Sequence, residues 1–291
     1  MKTLNIMILG SSGRLGAILA TSFHAAGHKV ITQSLRDWSE SSLAQLPETL
    51  IDIVIHAANP EYRHWKLQAL AMTKTGIAVA KHYSATLIFP GNVYNFGQLM
   101  PPEITVATPQ TAKNEKGNIR IAQEQSIQRA ARAGLKCIII RAGDFYGSGK
   151  GNWFDLVVAK KIKQKKVCYP GPTDVPHAWA YLPDLAAYFV QIAMIRETLK
   201  SFEVIHFEGH TCTGNEMISA MEAAVGEKLL RTRFPWPLVK VFNVFIPNGQ
   251  GLCEMEYLWR VPHRLRNEST HQPIQNTPFI EAMRKTLLTN Y

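Results

Sequence analysis

LNIMILGSSGRLGAILATSFHAAG, residues 4–27, decides the fold of this chain. It opens on an apolar run of strand character, LNIMIL (4–9), and passes directly into a glycine-rich turn, GSSGRLG (10–16). From Arg14 to Ala26 apolar residues recur at helical spacing (Leu15, Leu19, Phe23), and Gly27 stands where a helix C-cap is expected. The turn is spaced G-x-x-G-x-x-G. Gly10 allows a tight turn, Gly13 lets backbone approach a pyrophosphate, and Gly16 lets the helix pack closely on the strand. The free N–H groups at the start of the helix then face phosphates. In this strand–turn–helix setting the triplet predicts a dinucleotide site built by Gly10, Ser11, Ser12, Gly13, Arg14, Leu15 and Gly16.

The same alternation continues outward. KVITQS (29–34), IDIVIHAA (51–58), TLIFPG (86–91) and KCIIIRAG (136–143) read as buried strands, with helical stretches at 65–82 and about 118–133. Continuous Ile, Val and Leu runs between helices predict an α/β fold with a doubly wound parallel sheet of Rossmann type. After Gly147 the texture changes. GSGKGN (147–152) and YPGPTDVPHAW (169–179) are loop-like, followed by a helix at 183–194, a strand at 202–209, a helix at 215–226 and a tail rich in Trp, Pro, Arg and Asn. The expected division is a dinucleotide-binding domain over 1–150, with part of 183–210 returning to it. A smaller substrate lobe takes most of 151–291 and lies over the sheet edge, where such folds bind ligands.

Composition narrows the class. The 291 residues are 46% apolar and 19% charged, which excludes a disordered chain. No apolar run approaches the roughly 18 residues of a membrane span. MKTLNIMIL starts like a signal peptide but runs into Gly-Ser-Ser-Gly without a cleavage site, so the expectation is a cytoplasmic domain with no membrane partner. The four cysteines, Cys137, Cys168, Cys212 and Cys253, are too irregularly spaced for a disulfide framework or a zinc site, and no other metal motif occurs. The net charge of +10 is densest in KKIKQKK (160–166), which reads as a solvated helix end rather than a nucleic-acid patch.

Cofactor choice turns on the second strand. An NAD site usually places Asp or Glu about 20 residues beyond the glycines. Here Gln33, Ser34, Leu35 and Arg36 occupy that place, and the first carboxylate is Asp37. Arg36 with small polar neighbours suits a 2′-phosphate, so NADP is expected before NAD.

Together these residues resemble the extended and atypical short-chain dehydrogenase/reductases, the superfamily of sugar-nucleotide epimerases and dehydratases. Besides GSSGRLG, IHAA (55–58) resembles its H-x-A-A segment, PGNVYNFG (90–97) its S-S-x-x-V-Y-G segment, RAGDFYG (141–147) its R-x-x-x-x-Y-G segment, and HAWAYLPDLA (177–186) its R-x-x-x-Y-V-x-D segment. The resemblance implies further cofactor contacts at Ala57, Ala58, Asn59, Ala142 and Asp144, substrate contacts at His177, Trp179 and Tyr181, a small-molecule substrate, and a homodimer. His177 stands where the family often has arginine, which weakens the case for a pyrophosphate there. Asp184 reads as a helix-start residue.

The family's Tyr-x-x-x-Lys pair is replaced. KGNIRIAQE (116–124) puts Lys116 at the tyrosine position and Arg120 at the lysine position, with Pro90 or Gly91 at the upstream serine. A literal match, YRHWK (62–66), falls too early in the strand order and reads as coincidence. Two readings stay open. In one, an NAD(P)-dependent oxidoreductase or epimerase-like enzyme acts on a small hydroxyl or carbonyl compound through Tyr94, Lys116 and Arg120. A phenol facing two cations loses its proton more readily, and Arg120, one turn on, would make Lys116 a better base. In the other, a catalytically silent regulator or sensor binds the dinucleotide. EMEYLWRVP (254–262) gathers Glu254, Tyr257 and Trp259, read as lobe packing.

Overall fold

A computed structural model describes residues 2–35, 40–149, 151–246, 248–268 and 275–290. In chain order it runs β1 (Asn5–Leu9), α1 (Arg14–Ala25), β2 (Lys29–Gln33), β3 (Ile53–His56), α2 (Trp65–His82), β4 (Thr86–Gly91), β5 (Glu103–Ile104), α3 (Glu115–Arg132), β6 (Cys137–Arg141) and β7 (Asp144–Tyr146). It continues with β8 (Lys166–Tyr169), β9 (His177–Tyr181), α4 (Leu182–Ile195), β10 (Phe202–His206), β11 (His210–Cys212), α5 (Gly214–Val225), β12 (Leu230–Arg233), α6 (Trp236–Val241), α7 (Gly249–Glu254), β13 (Arg264–Leu265) and α8 (Phe279–Asn290). The chain forms two compact units: Met1–Gly91, Asn118–Arg141 and Ala186–Ile205 make the first, and Asn92–Gly117, Ala142–Leu185 and His206–Tyr291 the second.

The first unit is built on a six-stranded sheet of order β10-β6-β4-β3-β1-β2. The pairs β1–β2, β1–β3, β3–β4 and β4–β6 are parallel. Every residue of β3 and β6 is buried, as continuous apolar strands under helices require. From β1 the chain steps one way to β2 and then crosses back over β1 to β3. That reversal is the topological switch point, and the crevice at the carboxyl ends of β1 and β3 is where a doubly wound sheet takes its ligand.

The second unit holds a three-stranded sheet of order β11-β9-β7 and two parallel pairs, β12–β8 and β13–β5. Its core is aromatic: Tyr146, Trp153, Phe154, Trp179, Trp236 and Trp259 pack with Met217 and Met221 of α5. Helix α5 is fixed by a capping box, with Thr213 and Glu216 each accepting from the other's backbone, and it packs against α8. The helical stretch expected before KKIKQKK is a π-helical turn, Phe154–Val158, and the lysines at 160, 161, 163 and 165 are solvent-exposed beyond it. The tail, which carries no clear periodicity, nonetheless forms β12, α6, α7, β13 and α8.

Candidate functional site

The glycine turn follows β1 as a rigid hook. Gly10 has φ +86°, and a Cβ there would lie 2.5 Å from the Ala58 Cα. The loops after β1 and β3 therefore touch through bare backbone at the switch point. A Cβ on Gly16 would stand 2.2 Å from the Gly10 carbonyl oxygen, so α1 comes in as close as the sequence predicts. The turn is tied by Gly10 N–H to Gln33 O (3.1 Å) and Gly13 N–H to Gly10 O (3.1 Å). Gly13 is the N-cap of α1 and supplies no side chain. Among the described residues no side-chain cap is formed at this end, and the first turn carries no acidic residue. The positive dipole end of this helix favours an anion beside the turn. A Cβ on Gly13 would meet only Gly10 O, at 3.3 Å. Ser12 and Gly13 are exposed, with Ser11 and Arg14 half-buried beside them, while Leu15 and Gly16 are buried under the turn. These features fit a dinucleotide pyrophosphate. Arg36 lies outside the described residues.

Beyond β3, Ala57 N–H donates to Leu9 O (2.9 Å), which holds Ala57, Ala58 and Asn59 alongside the glycine turn. Arg120 of α3 reaches this edge. Its Nη2 donates to Asn59 Oδ1 (3.4 Å), and its guanidinium lies 4.7 Å over the Trp65 ring and 5.7 Å from that of Phe89. A cation held on two aromatic faces is a fixed, low-entropy donor. Trp65 is itself buried, its Nε1 donating to Pro60 O (2.8 Å). The YRHWK segment thus serves as the platform for Arg120, and its Lys66 is exposed. Below lies His56, wholly buried, with no hydrogen-bond partner for either ring nitrogen among the described residues. Burial first, and the Arg120 charge second, push its pKa down to about 3, so it is neutral.

The other expected site residues belong to the second unit. Lys116, near the start of α3, is buried and bound to Glu254: Nζ to Oε2 at 2.7 Å, and its own backbone N–H to Oε1 at 2.6 Å. Asn114 Nδ2 donates to the same carboxylate (3.0 Å). Glu254 therefore caps α3 from 138 residues away and neutralises Lys116. The lysine nitrogen expected to act as a base is thus engaged by a carboxylate of its own unit. Glu254, expected only to pack the lobe, is the partner that sequence reasoning misses. Tyr94 opens a 3₁₀ turn and is buried, its N–H taken by Asn92 Oδ1 (3.0 Å).

Ala142 is buried, and Asp144 pairs with His177. The His177 Nε2 lies 2.9 Å from Asp144 Oδ2, and Nδ1 lies 3.2 Å from Leu258 O. The ring is stacked on Trp259 (4.6 Å, 12°), with His263 edge-on at 4.5 Å. Both ring nitrogens lie within hydrogen-bond distance of oxygens of the same unit. Trp179 and Tyr181 are core rather than lining. Trp179 has no exposed surface, and Tyr181 lies against Tyr146, its hydroxyl pKa raised by burial. Asp184 accepts from both the N–H (2.7 Å) and the hydroxyl (2.8 Å) of Thr277, the local role its position suggests. Among the described residues no three His, Cys, Asp or Glu side chains are grouped to hold a metal ion.

Comparison with known proteins accords with this geometry. Among solved structures, the NDP-hexosamine 5,6-dehydratase TunA of tunicamycin biosynthesis shares 16% identity, with 98% of this chain and 97% of that one covered at a TM-score of 0.73. The dTDP-4-dehydrorhamnose reductase of Clostridium acetobutylicum gives 15%, 98%, 99% and 0.73. The UDP-glucose 4-epimerase of Bifidobacterium longum gives 17%, 98%, 97% and 0.72. At these identities the likeness is one of fold. No curated protein matches the sequence. The model of the NAD dependent epimerase/dehydratase family matches residues 6–205, a span from the first strand of the sheet to its last, and the chain belongs to that family.

Proposed function

We propose that the protein is an NAD(P)-dependent oxidoreductase or epimerase-like enzyme for a small hydroxyl or carbonyl compound, with sugar derivatives the leading class. The observation that carries this is the glycine turn from Gly10 to Gly16 leading into the N-terminus of α1 at the switch point of the sheet. A nicotinamide dinucleotide bound there supplies hydride transfer. Gly10 to Gly16 hold its phosphates, Ala57 to Asn59 wall it, and Arg120 offers a fixed guanidinium for a ribose oxygen. Ala142 and Asp144 complete the cofactor contacts. Arg36 favours the 2′-phosphate of NADP over NAD. Lys116, held by Glu254, donates to a substrate oxygen, Tyr94 exchanges the proton, and His177 contacts the substrate.

The same ion pair favours a second reading. A lysine closed against a carboxylate is also what a silent dinucleotide-binding regulator would carry. One set of measurements separates the two. Titration with NADPH and NADH, followed by nicotinamide fluorescence, should show tighter NADPH binding, and Arg36→Ala should remove that preference. Gly13→Ala, whose methyl meets only one oxygen at 3.3 Å, should keep the thermal midpoint while weakening dinucleotide binding roughly tenfold or more. Tyr94→Phe and Lys116→Met should each cut turnover on a carbonyl panel by about 100-fold with dinucleotide affinity held within a few-fold. Binding without turnover in the unsubstituted protein would establish the regulator instead, and binding of neither nucleotide would sink both readings.

A further inference from the structure

The chain carries an apolar surface that the site does not use. Between Leu238 and Phe245 five large apolar side chains are exposed: Leu238, Val241, Phe242, Val244 and Phe245, the last at 82%. Helix α6 divides its residues cleanly. Trp236 and Val239 turn into the core, where Trp236 Nε1 is bonded to Pro170 O, while Leu238 and Val241, three apart on the opposite side, face solvent. The turn that follows is formed rather than loose. Phe242 N–H bonds Leu238 O (2.9 Å), Phe245 N–H bonds Phe242 O (2.9 Å), and Asn243 Nδ2 bonds Lys240 O (2.7 Å). This holds Val244 and Phe245 outward. Apolar side chains clustered this way on a surface mark an interaction site.

Charge identifies the occupant. From Lys228 to Cys253 the sequence has four cations, Lys228, Arg231, Arg233 and Lys240, and no carboxylate. Two are offset by other elements: Glu222 pairs with Lys228 (2.8 Å), and Glu256 pairs with Lys240 (2.6 Å). Arg231 and Arg233 are both exposed on β12, and the Glu222 charge that pairs Lys228 also acts on Arg231. Arg231 donates to the neutral Asn215 (2.9 Å), and both line a cavity of about 350 Å³ with Thr173 and Thr232. Strand β12 leads directly into α6, so a cavity lined by two arginines and an apolar projection lie on one continuous segment. A second copy of the chain would set these arginines against themselves. A nucleic acid would leave the phenylalanines unused. An anionic bilayer surface satisfies both halves, taking phenylalanine and valine below its headgroups and arginine among its phosphates.

We propose that the 230–245 segment is a peripheral docking surface for anionic phospholipid membranes. It involves no span, since among the described residues no helix is long and apolar enough to cross a membrane. The test is co-sedimentation of the full chain with vesicles of phosphatidylcholine alone or with about 30% phosphatidylserine, in 0.1 M salt. Binding is expected to the mixed vesicles, to weaken with salt, and to be slight on phosphatidylcholine alone. The double variant Val244→Ser/Phe245→Ser should lower partitioning roughly tenfold, and Arg231→Gln and Arg233→Gln about fivefold each. All four positions are exposed, so thermal midpoints should stay put. Absence of binding to the mixed vesicles, or binding unaffected by the serine pair, overturns the proposal. So does a lipid-free dimer that the serine pair converts to monomer, which would assign the patch to a second copy.

Discussion

Replacing Arg141 by methionine should destabilise the first unit by about 3–5 kcal/mol, the largest single effect expected in this chain. Arg141 ends β6 and meets Glu124 of α3 in a two-pronged contact, Nε to Oε1 at 3.0 Å and Nη2 to Oε2 at 2.6 Å. The two side chains are 3% and 5% exposed, so neither charge can turn to water when its partner is lost. The space for the arginine stem exists because its neighbour on β4 is Gly91, where a Cβ would fall 2.7 Å from the Arg141 Cγ. A methionine leaves the Glu124 carboxylate enclosed without its fork of donors. Glu124→Leu should cost a similar amount by stranding the guanidinium. The double variant Glu124→Leu/Arg141→Met should recover most of the loss, because an apolar pair removes both desolvation penalties at once. Urea denaturation of the four proteins checks this. Additive losses in the double variant would show that the two side chains stabilise the unit separately and that the pairing argument is wrong.

That pair also shows what a sequence can and cannot reveal. IHAA, TLIFPG and CIIIR announce themselves as strands because parallel strands covered on both faces are apolar throughout, and the glycine turn is written in consecutive residues. The sheet and the cradle rest on such local patterns, and the structure forms both where the patterns lie. The surroundings of Lys116 do not. Its charge is governed by Glu254, 138 residues later, and no periodicity couples two such positions. Arg120 was legible as a cation one turn after Lys116, but Trp65, which supports it, reads locally only as the start of a helix. Trp179 and Tyr181 show the converse error. Placed by resemblance in a binding segment, they are taken up by the aromatic core of the second unit, which gathers Tyr146, Phe154, Trp179 and Trp259 from distant segments and so leaves no local trace. The tail is illegible for a related reason. Its elements are short, and α6 and α7 are six residues each, too brief to establish a period.

Acid should destabilise this protein above the range in which carboxylates titrate, chiefly through two fully buried histidines, with His28 and His210, also lowered by burial, adding to the loss. His56 in the first unit and His263 in the second are both fully enclosed and both held down to about 3. For His56 the causes are burial and then Arg120. For His263 they are burial and then the neighbouring charge of His177, opposed by the Val261 carbonyl that accepts from Nδ1 at 2.9 Å. Unfolding returns each ring to its ordinary value of 6.5. The folded value is the lower one, so between about 6.5 and 3 the unfolded chain binds more protons, and stability falls as pH falls. The slope rises to about 1.4 kcal/mol per pH unit for each of these two histidines, so each unit loses roughly 2 kcal/mol through it between pH 6.5 and pH 4.5. The paired carboxylates Glu103 and Glu222 lie below 4.5 and add their losses only at lower pH, so the window from 6.5 to 4.5 belongs to the histidines. His56→Leu fills nearly the same volume and removes two ring nitrogens that have no partner among the described residues. It should raise stability by about 1 kcal/mol at neutral pH and lessen the first unit's pH dependence across that window, leaving the part that His28 contributes. Urea midpoints at pH 7, 6, 5 and 4.5 measure both effects. If midpoints of the unsubstituted protein hold constant down to pH 4.5, the two rings already carry protons in the folded state, and the enclosed, unpartnered environment described for His56 is wrong.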